Sequence, residues 1–282
     1  MNSNEIKAHI TQMPGHSLRG VKNTIAIASG KGGVGKSTVT VNLAVALAKM
    51  GARVGILDAD IYGPSIPLML GTTDAVKTAG DNYLPVLKHA VQAMSIGYLT
   101  GGEPALIWRG PMLAKSLLQM LNITLWDELD YLFIDLPPGT GDIQLSLVQK
   151  IPLTAAVVVT TPQNVATLDA DKAIKMFNKT GIHTLGIIEN MAVHICDNCG
   201  NHSHIFGRGG AENLAQKEKL PLLGRLPLTP VISKMCDEGL PAALSNTPEI
   251  ATPFMDTAKY FLREISKRPL NYASKFPPIK VE

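Results

Sequence analysis

Residues 30–37 read GKGGVGKS, and what stands on either side of this stretch decides the fold. Before it, residues 24–29 (TIAIAS) form an apolar run with the length and composition of a buried strand. After it, residues 36–50 (KSTVTVNLAVALAKM) have a helical pattern that Gly51 stops. A glycine-rich turn between strand and helix can wind closely around phosphates. Its backbone N–H groups then point inward, and the helix N-terminus adds its dipole. The spacing Gly-x-x-x-x-Gly-Lys-Ser/Thr is met by Gly30, Gly35, Lys36 and Ser37; Lys31, Gly32, Gly33 and Val34 complete the loop and Thr38 follows it. In this reading Lys36 reaches the β- and γ-phosphates of a nucleoside triphosphate, and Ser37 binds Mg²⁺. Gly30, Gly32 and Gly35 also satisfy Gly-x-Gly-x-x-Gly, with Asp58 ending the next strand as a ribose-binding acid would. The dinucleotide pattern gives no reason for a lysine and a hydroxyl at the first helical positions, so the triphosphate reading is preferred.

The acids that such a site needs come next. ILDADIYGPS (residues 56–65) places Asp58 and Asp60 at the end of a second strand, 54–57, where parallel sheets put ligand chemistry. YLFIDLPPGTGD (131–142) is an apolar strand running into Asp135 and a Pro/Gly loop. Asp135 is expected to hold Mg²⁺ through water, Asp58 to support the metal shell and Asp60 to orient the attacking water. Gly139 and Gly141 would let their loop move with the γ-phosphate. Lys31 stands on the rim of the phosphate loop. In a dimer with facing sites it would reach the partner's phosphates and neutralise transition-state charge. Asn190, in ENM after a further strand, is placed to meet an adenine edge, with a turn role as the alternative.

Beyond the loop the pattern repeats. A helix near 142–150, a strand at 155–160 (AAVVVT), a helix at 165–179, a strand at 184–189 and a helix at 210–217 follow. A short strand at 222–225 and a last helix at 250–267 complete the series, and the stretch between the second strand and 131–134 reads as a loop. Strands apolar on both faces and joined by helices predict an α/β fold, a mostly parallel sheet with helices on both faces. A single domain is expected over residues 23–268, between peripheral arms at 1–22 and 269–282, the latter broken by Pro269, Pro277 and Pro278.

Composition narrows the function classes. The 282 residues are 45% hydrophobic and 17% charged, an ordinary globular balance. No apolar run nears the ~18 residues that span a bilayer, so no membrane partner is expected. The net charge of +3 is scattered, with Lys267, Arg268, Lys275 and Lys280 thickening the tail, and no nucleic acid is expected. The polar amino terminus has no signal-peptide core, and three cysteines give no disulfide framework, which points to a cytoplasmic protein.

One stretch is foreign to a nucleotide-binding chain: HICDNCGNHSHIFG, residues 194–207. Zinc would take Cys196, Cys199, His202 and His204 from this one loop, with His194 nearby, although the His-x-His spacing is tight. A redox dithiol would open a helix, which this sequence does not. Two cysteines cannot hold a cubane, but two copies about a twofold axis supply four thiolates for one [4Fe–4S] cluster. Lys31 and the cysteine pair thus both gain a use in a homodimer, whereas Cys236 reads as a buried small hydrophobe.

SGKGGVGKST, LDADIYGPSIP, IWRGPM, DYLFIDLPPGTGDIQL, TTPQNVATLDA, ENM, CDNCG and IFGRGGAENLA, in that order, closely resemble the Mrp/ApbC family of iron–sulfur cluster carrier ATPases. The resemblance covers nearly the whole chain; its phosphate loop is shared with the wider MinD/ParA and nitrogenase iron-protein class. It implies a P-loop NTPase fold of that type, and a homodimer hydrolysing ATP to ADP and phosphate. It also implies a labile [4Fe–4S] cluster held by Cys196 and Cys199 of two chains and passed to apo iron–sulfur proteins. ATP-site roles carry over to residues 30–38, Asp58, Asp60 and Asp135. Many bacterial members have a small extra domain before the ATPase; here only about twenty residues precede the first strand, and partner delivery would be left to a separate protein or to none. The competing reading is a MinD/ParA-like positioning ATPase with a structural zinc loop. It would need a membrane-seeking or basic element, whereas the apolar face of 250–267 is expected to pack on the sheet. A reductase resembling the nitrogenase iron protein would take its two cysteines from separate loops.

Overall fold

The computed structural model describes residues 6–72, 75–99, 110–196 and 198–272. Residues 107–109 of IWRGPM, Asp197, and Lys275, Pro277, Pro278 and Lys280 of the tail lie outside the described residues. The chain runs through β1 (Val21–Ala28), α1 (Lys36–Lys49), β2 (Val54–Asp58) and α2 (Ile66–Leu70). Then come β3 (Lys77–Ala79), β4 (Asn82–Leu84), β5 (Val86–Lys88), β6 (Val91–Ser95), α3 (Ile96–Leu99) and α4 (Gly110–Ile123). β7 (Leu129–Asp135), α5 (Asp142–Lys150), β8 (Ala155–Thr160), α6 (Asn164–Lys179) and β9 (Thr184–Glu189) continue the alternation. The last third holds β10 (His194–Ile195), β11 (His202–Ser203), α7 (Gly210–Glu218), β12 (Leu222–Arg225), α8 (Pro230–Asp237) and α9 (Pro248–Ile265).

Successive residues of a strand point to opposite faces, so a strand apolar at every position must be covered twice. In β1 and β7, Ile25, Ile27, Tyr131 and Phe133 pack with Leu43 and Leu47 of α1 and Phe261 of α9. Their neighbours Ala26, Ala28, Leu132 and Ile134 pack with Leu117 of α4, Leu147 of α5 and Phe177 of α6 on the other side. The Phe261 ring lies edge-on to Tyr131 at 5.5 Å and 5.6 Å from Phe133, which anchors α9 to the middle of the sheet. The apolar face of the last helix is therefore committed to the core, as its sequence predicts. No helix among the described residues is long and apolar enough to cross a membrane.

Eight strands form one sheet in the order β12-β9-β8-β1-β7-β2-β6-β5, parallel throughout except for β5, which runs antiparallel to β6 at the edge. β1 lies near its centre, so the phosphate loop leaves the carboxyl edge between β8 and β7, where ligand crevices form. Register then brings distant residues together: Asp58 lies opposite Asp135 across β2 and β7, and Ser95 opposite Asp58 across β6 and β2.

Two expectations need correcting. The stretch between β2 and β7 is no loop, for it supplies β6 to the main sheet and carries α4. β3, β4 and β5 have only three residues each, too few for a period of two to stand out. The arms are also more than peripheral. β1 begins at Val21, and Ile6 and His9 are buried. His9 Nδ1 lies 2.9 Å from the Arg268 carbonyl, Asn271 N–H donates to Ala8 O at 2.8 Å and Gln12 Nε2 to Ile151 O at 2.7 Å. Residues 8–10 and 268–271 thereby clasp each other.

Candidate functional site

The loop after β1 closes on α1 through Gly35, whose φ of 77° is a left-handed conformation that only glycine adopts without strain. A Cβ there would also collide with the Asn190 amide nitrogen. That amide donates to the Val34 carbonyl at 2.9 Å, so Asn190, at the end of β9, braces the loop from behind. Lys31, Gly32, Gly33, Val34, Gly35, Lys36, Ser37 and Thr38 line a cavity of about 190 Å³, with Asp60 and Pro138 on the facing wall. Lys31 is half-buried at its rim.

Beneath the cavity Asp135 is the hub. Lys36 Nζ donates to its Oδ2 at 2.7 Å, Ser37 Oγ to the same oxygen at 2.6 Å, and Thr40 Oγ1 to Oδ1 at 2.6 Å. Lys36 and Asp135 are both buried, and a buried charge pair persists only when its remaining donors and acceptors are met. Here α1 meets them by placing Lys36, Ser37 and Thr40 on one face of its first two turns.

Asp58 sits beside Asp135 with its own donors: the Asp60 N–H at 3.1 Å, the Ile66 N–H at 3.3 Å and Ser95 Oγ at 3.0 Å. Burial, and then the neighbouring Asp135 carboxylate, push the Asp58 pKa up to about 7, against the pull of Lys36 and Ser95. Asp60 is raised too, chiefly by burial, with Lys36 opposing. A carboxylate pair beside a serine hydroxyl is a hard oxygen donor set, which suits Mg²⁺ rather than a soft metal.

The cysteines stand elsewhere. Past Asn190 the chain runs into a hairpin in which β10 and β11 pair His194 with Ser203 and Ile195 with His202. Cys196 and Cys199 sit at its tip, not in an open loop. Gly200 N–H donates to Cys196 O at 2.8 Å, and Cys196 N–H to Asn201 O at 3.0 Å. The turn needs Gly200 at a φ of 68°. Cys196 is half-buried and Cys199 exposed, and neither is in a disulfide. His194 Nδ1 lies 3.1 Å from Leu228 O and His204 Nδ1 3.0 Å from Ala192 O, so two of the histidines tie the hairpin to its base. His202 is exposed. Among the described residues no three His, Cys, Asp or Glu side chains gather into a metal cage. Cys236 is buried beneath α1, 3.9 Å from Asn42 Nδ2.

The structure thus brings Lys36, Ser37, Asp58, Asp60 and Asp135 together, and keeps the thiols apart from them. Thr40 and Ser95 belong to no motif that the sequence reading picks out. Thr40 is one helical turn beyond Lys36, a spacing that could have signalled it; Ser95 is reached only through strand pairing.

Comparison with known proteins agrees with this geometry. The family profile described as ParA, NUBPL iron-transfer P-loop NTPase, matches residues 20–262. The iron-sulfur cluster carrier protein of Escherichia coli K12 is 56% identical over 238 residues, covering 84% of this chain. The chain spans 64% of that relative's length. Among solved structures, a nucleotide-binding protein from Archaeoglobus fulgidus in complex with ADP is 42% identical, with a TM-score of 0.70 over 78% of this chain and 87% of that one. The septum site-determining protein MinD of Pyrococcus horikoshii, complexed with Mg-ADP, is 27% identical, with a TM-score of 0.60 over 84% and 94%. The chain belongs to the Mrp/ApbC family of iron–sulfur cluster carrier P-loop NTPases.

Proposed function

We propose that this chain is an ATP-hydrolysing carrier that takes up a labile [4Fe–4S] cluster between two copies of itself and hands it to apo iron–sulfur proteins. One observation carries the reading. The phosphate loop, after β1, and the thiol hairpin, after β9, leave the same edge of the sheet, and Asn190 links them: its amide donates to Val34 O while the chain continues into Cys196 and Cys199. A change in the loop on nucleotide binding then reaches the thiols through a few residues of backbone. The relative in Escherichia coli, named a cluster carrier, supports the cargo, and the ADP complex of the Archaeoglobus relative supports the nucleotide.

In the proposed cycle the loop N–H groups hold the phosphates, and Lys36 swings from Asp135 to the β- and γ-phosphate oxygens. Released from Lys36, Asp135 joins Ser37 as an oxygen donor, with Asp58 behind. Mg²⁺ bound there would neutralise phosphate charge. Asp60, on the wall facing the loop, orients the water that attacks the γ-phosphorus as the bond to ADP breaks; its raised proton affinity suits that task. Lys31 of each chain reaches into the partner's site and steadies the developing charge. Each chain offers Cys196 and Cys199, so a twofold pair supplies the four thiolates a cubane requires.

The test is iron, acid-labile sulfide and zinc per chain after anaerobic reconstitution, with the double variant Cys196→Ala/Cys199→Ala alongside. About two irons and two sulfides per chain, lost in the variant, are expected. Stoichiometric zinc without sulfide would replace the carrier by a nucleotide switch with a structural metal loop.

A further inference from the structure

Between the phosphate loop and the thiol hairpin stands a residue with an unusual backbone. Met191 has a φ of 56°, in the left-handed region, where a Cβ crowds the following carbonyl and glycine or asparagine is the ordinary occupant. An unbranched apolar residue gains nothing locally from that conformation, so its surroundings must hold it. Before it, Asn190 N–H donates to Thr160 O and Leu226 N–H to Glu189 O, both at 2.8 Å. After it, Ala192 N–H donates to Leu226 O at 2.9 Å and Leu228 N–H to Val193 O at 2.8 Å. The backbone is thus fixed up to Met191 and again beyond it, and Met191 makes the bend through which β9 passes into the hairpin. Its side chain is half-buried and turns to the phosphate loop. The methyl carbon lies 3.6 Å from the point where a Gly35 Cβ would stand, beside the Asn190 amide.

Gly35 therefore leaves room for two consecutive side chains, and they touch the loop in different ways. Asn190 does so by a hydrogen bond from a regular strand end, which braces the loop. The Met191 contact is apolar and comes from a strained bend, which stays left-handed only while its surroundings over-determine it. A bend of this kind has two discrete arrangements: loosened on one side, it relaxes towards an extended φ and re-aims the chain beyond it. What lies beyond it is the hairpin with Cys196 and Cys199. The geometry points to Met191 as the positioning residue of the thiol pair: its side chain reads the phosphate loop at Gly35, and its left-handed bend sets the aim of the hairpin. This rests on the proposed function and deepens it, by naming the residue through which nucleotide acts on the cluster ligands.

The test uses the full chain without cluster. Alkylation of the exposed Cys199 by iodoacetamide is timed by peptide mass spectrometry. It is run without nucleotide and with Mg²⁺ and AMPPNP at saturation, set for each variant by calorimetry. Nucleotide is expected to change the rate about fivefold in the unaltered protein, the lower end of coupling between sites. Met191→Ala removes the contact and keeps the backbone penalty, whereas Met191→Gly removes both, and each should abolish the nucleotide effect. Met191→Leu, of similar bulk, should keep it. No nucleotide effect in the unaltered protein, or an undiminished one in Met191→Gly or Met191→Ala, overturns the proposal. Rates shifted equally with and without nucleotide mark a merely structural bend and overturn it too. Glycine adopts this φ freely, so Met191→Gly decides the matter even if Met191→Ala fails to fold. Iron and sulfide on the same proteins keep the two readings apart. A Met191-dependent effect in a chain that takes up no cluster supports the coupling and defeats the carrier. Cluster uptake without any nucleotide effect on the thiol defeats the coupling alone.

Discussion

Asp135 collects hydrogen bonds from Lys36, Ser37 and Thr40 inside a closed core, whereas the thiol hairpin has two residues per strand and leaves Cys199 in solvent. Both regions leave the same edge of the sheet, yet one gathers its hydrogen-bond donors within the chain, while the other is, in the proposed function, half a site. The difference follows from what each has to hold. Phosphate recognition gains from donors fixed before the ligand arrives, in surroundings that water does not screen. In the proposed function the cargo must be passed on, which calls for ligands that stay reachable, and two thiols at a hairpin tip would bind it weakly until a second pair joined them.

Lys36→Ala should break the first region most severely. Hydrolysis is expected to fall by at least about 10²–10³-fold. The buried Asp135, left without its cation, should cost about 3 kcal/mol of stability in urea unfolding. Surviving turnover would mean that the loop does not hold phosphate. Cys196→Ala or Cys199→Ala should do the reverse: cluster content drops to background, ADP affinity is unchanged, and stability moves by no more than about 0.5 kcal/mol, as for other surface positions. A full cluster retained by either single variant would remove the idea of a shared site.

Acidity tests the first region, because burial acts on Asp58. The folded pKa of Asp58 lies at about 7, above its ordinary value of 3.8, so between these limits the folded protein binds the proton more tightly than the unfolded chain does. The stabilisation is full below that window and is lost as pH rises through it. Without Mg²⁺ and nucleotide, the melting temperature of the unaltered protein should therefore fall relative to Asp58→Asn as pH climbs from 4 towards 7; parallel curves would refute the buried titration. A milder loss within the first region is expected for Thr40→Val, about 1 kcal/mol of stability with a partial loss of turnover, since Asp135 keeps Lys36 and Ser37.

Much of this is legible in the amino-acid sequence. β8 and β9 begin and end where their apolar runs do, because each is buried along its whole length. β3 to β5 are not legible in that way, since strands of three residues show no period long enough to detect. The hairpin around Cys196 and Cys199 stays hidden for a related reason: two-residue strands have no pattern, and their pairing is decided by contacts with Ala192 and Leu228.

What the amino-acid sequence determined by itself is the phosphate loop, the acids at strand ends and the cysteine pair. Each is set by residue type and near spacing, and those dictate backbone conformation over a few residues. Only the tertiary structure decided that Asp58 faces Asp135 and takes a bond from Ser95, and that Asn190 braces Val34. These depend on the register of strands far apart in the chain, and register is fixed by the summed burial of whole apolar faces rather than by any local motif.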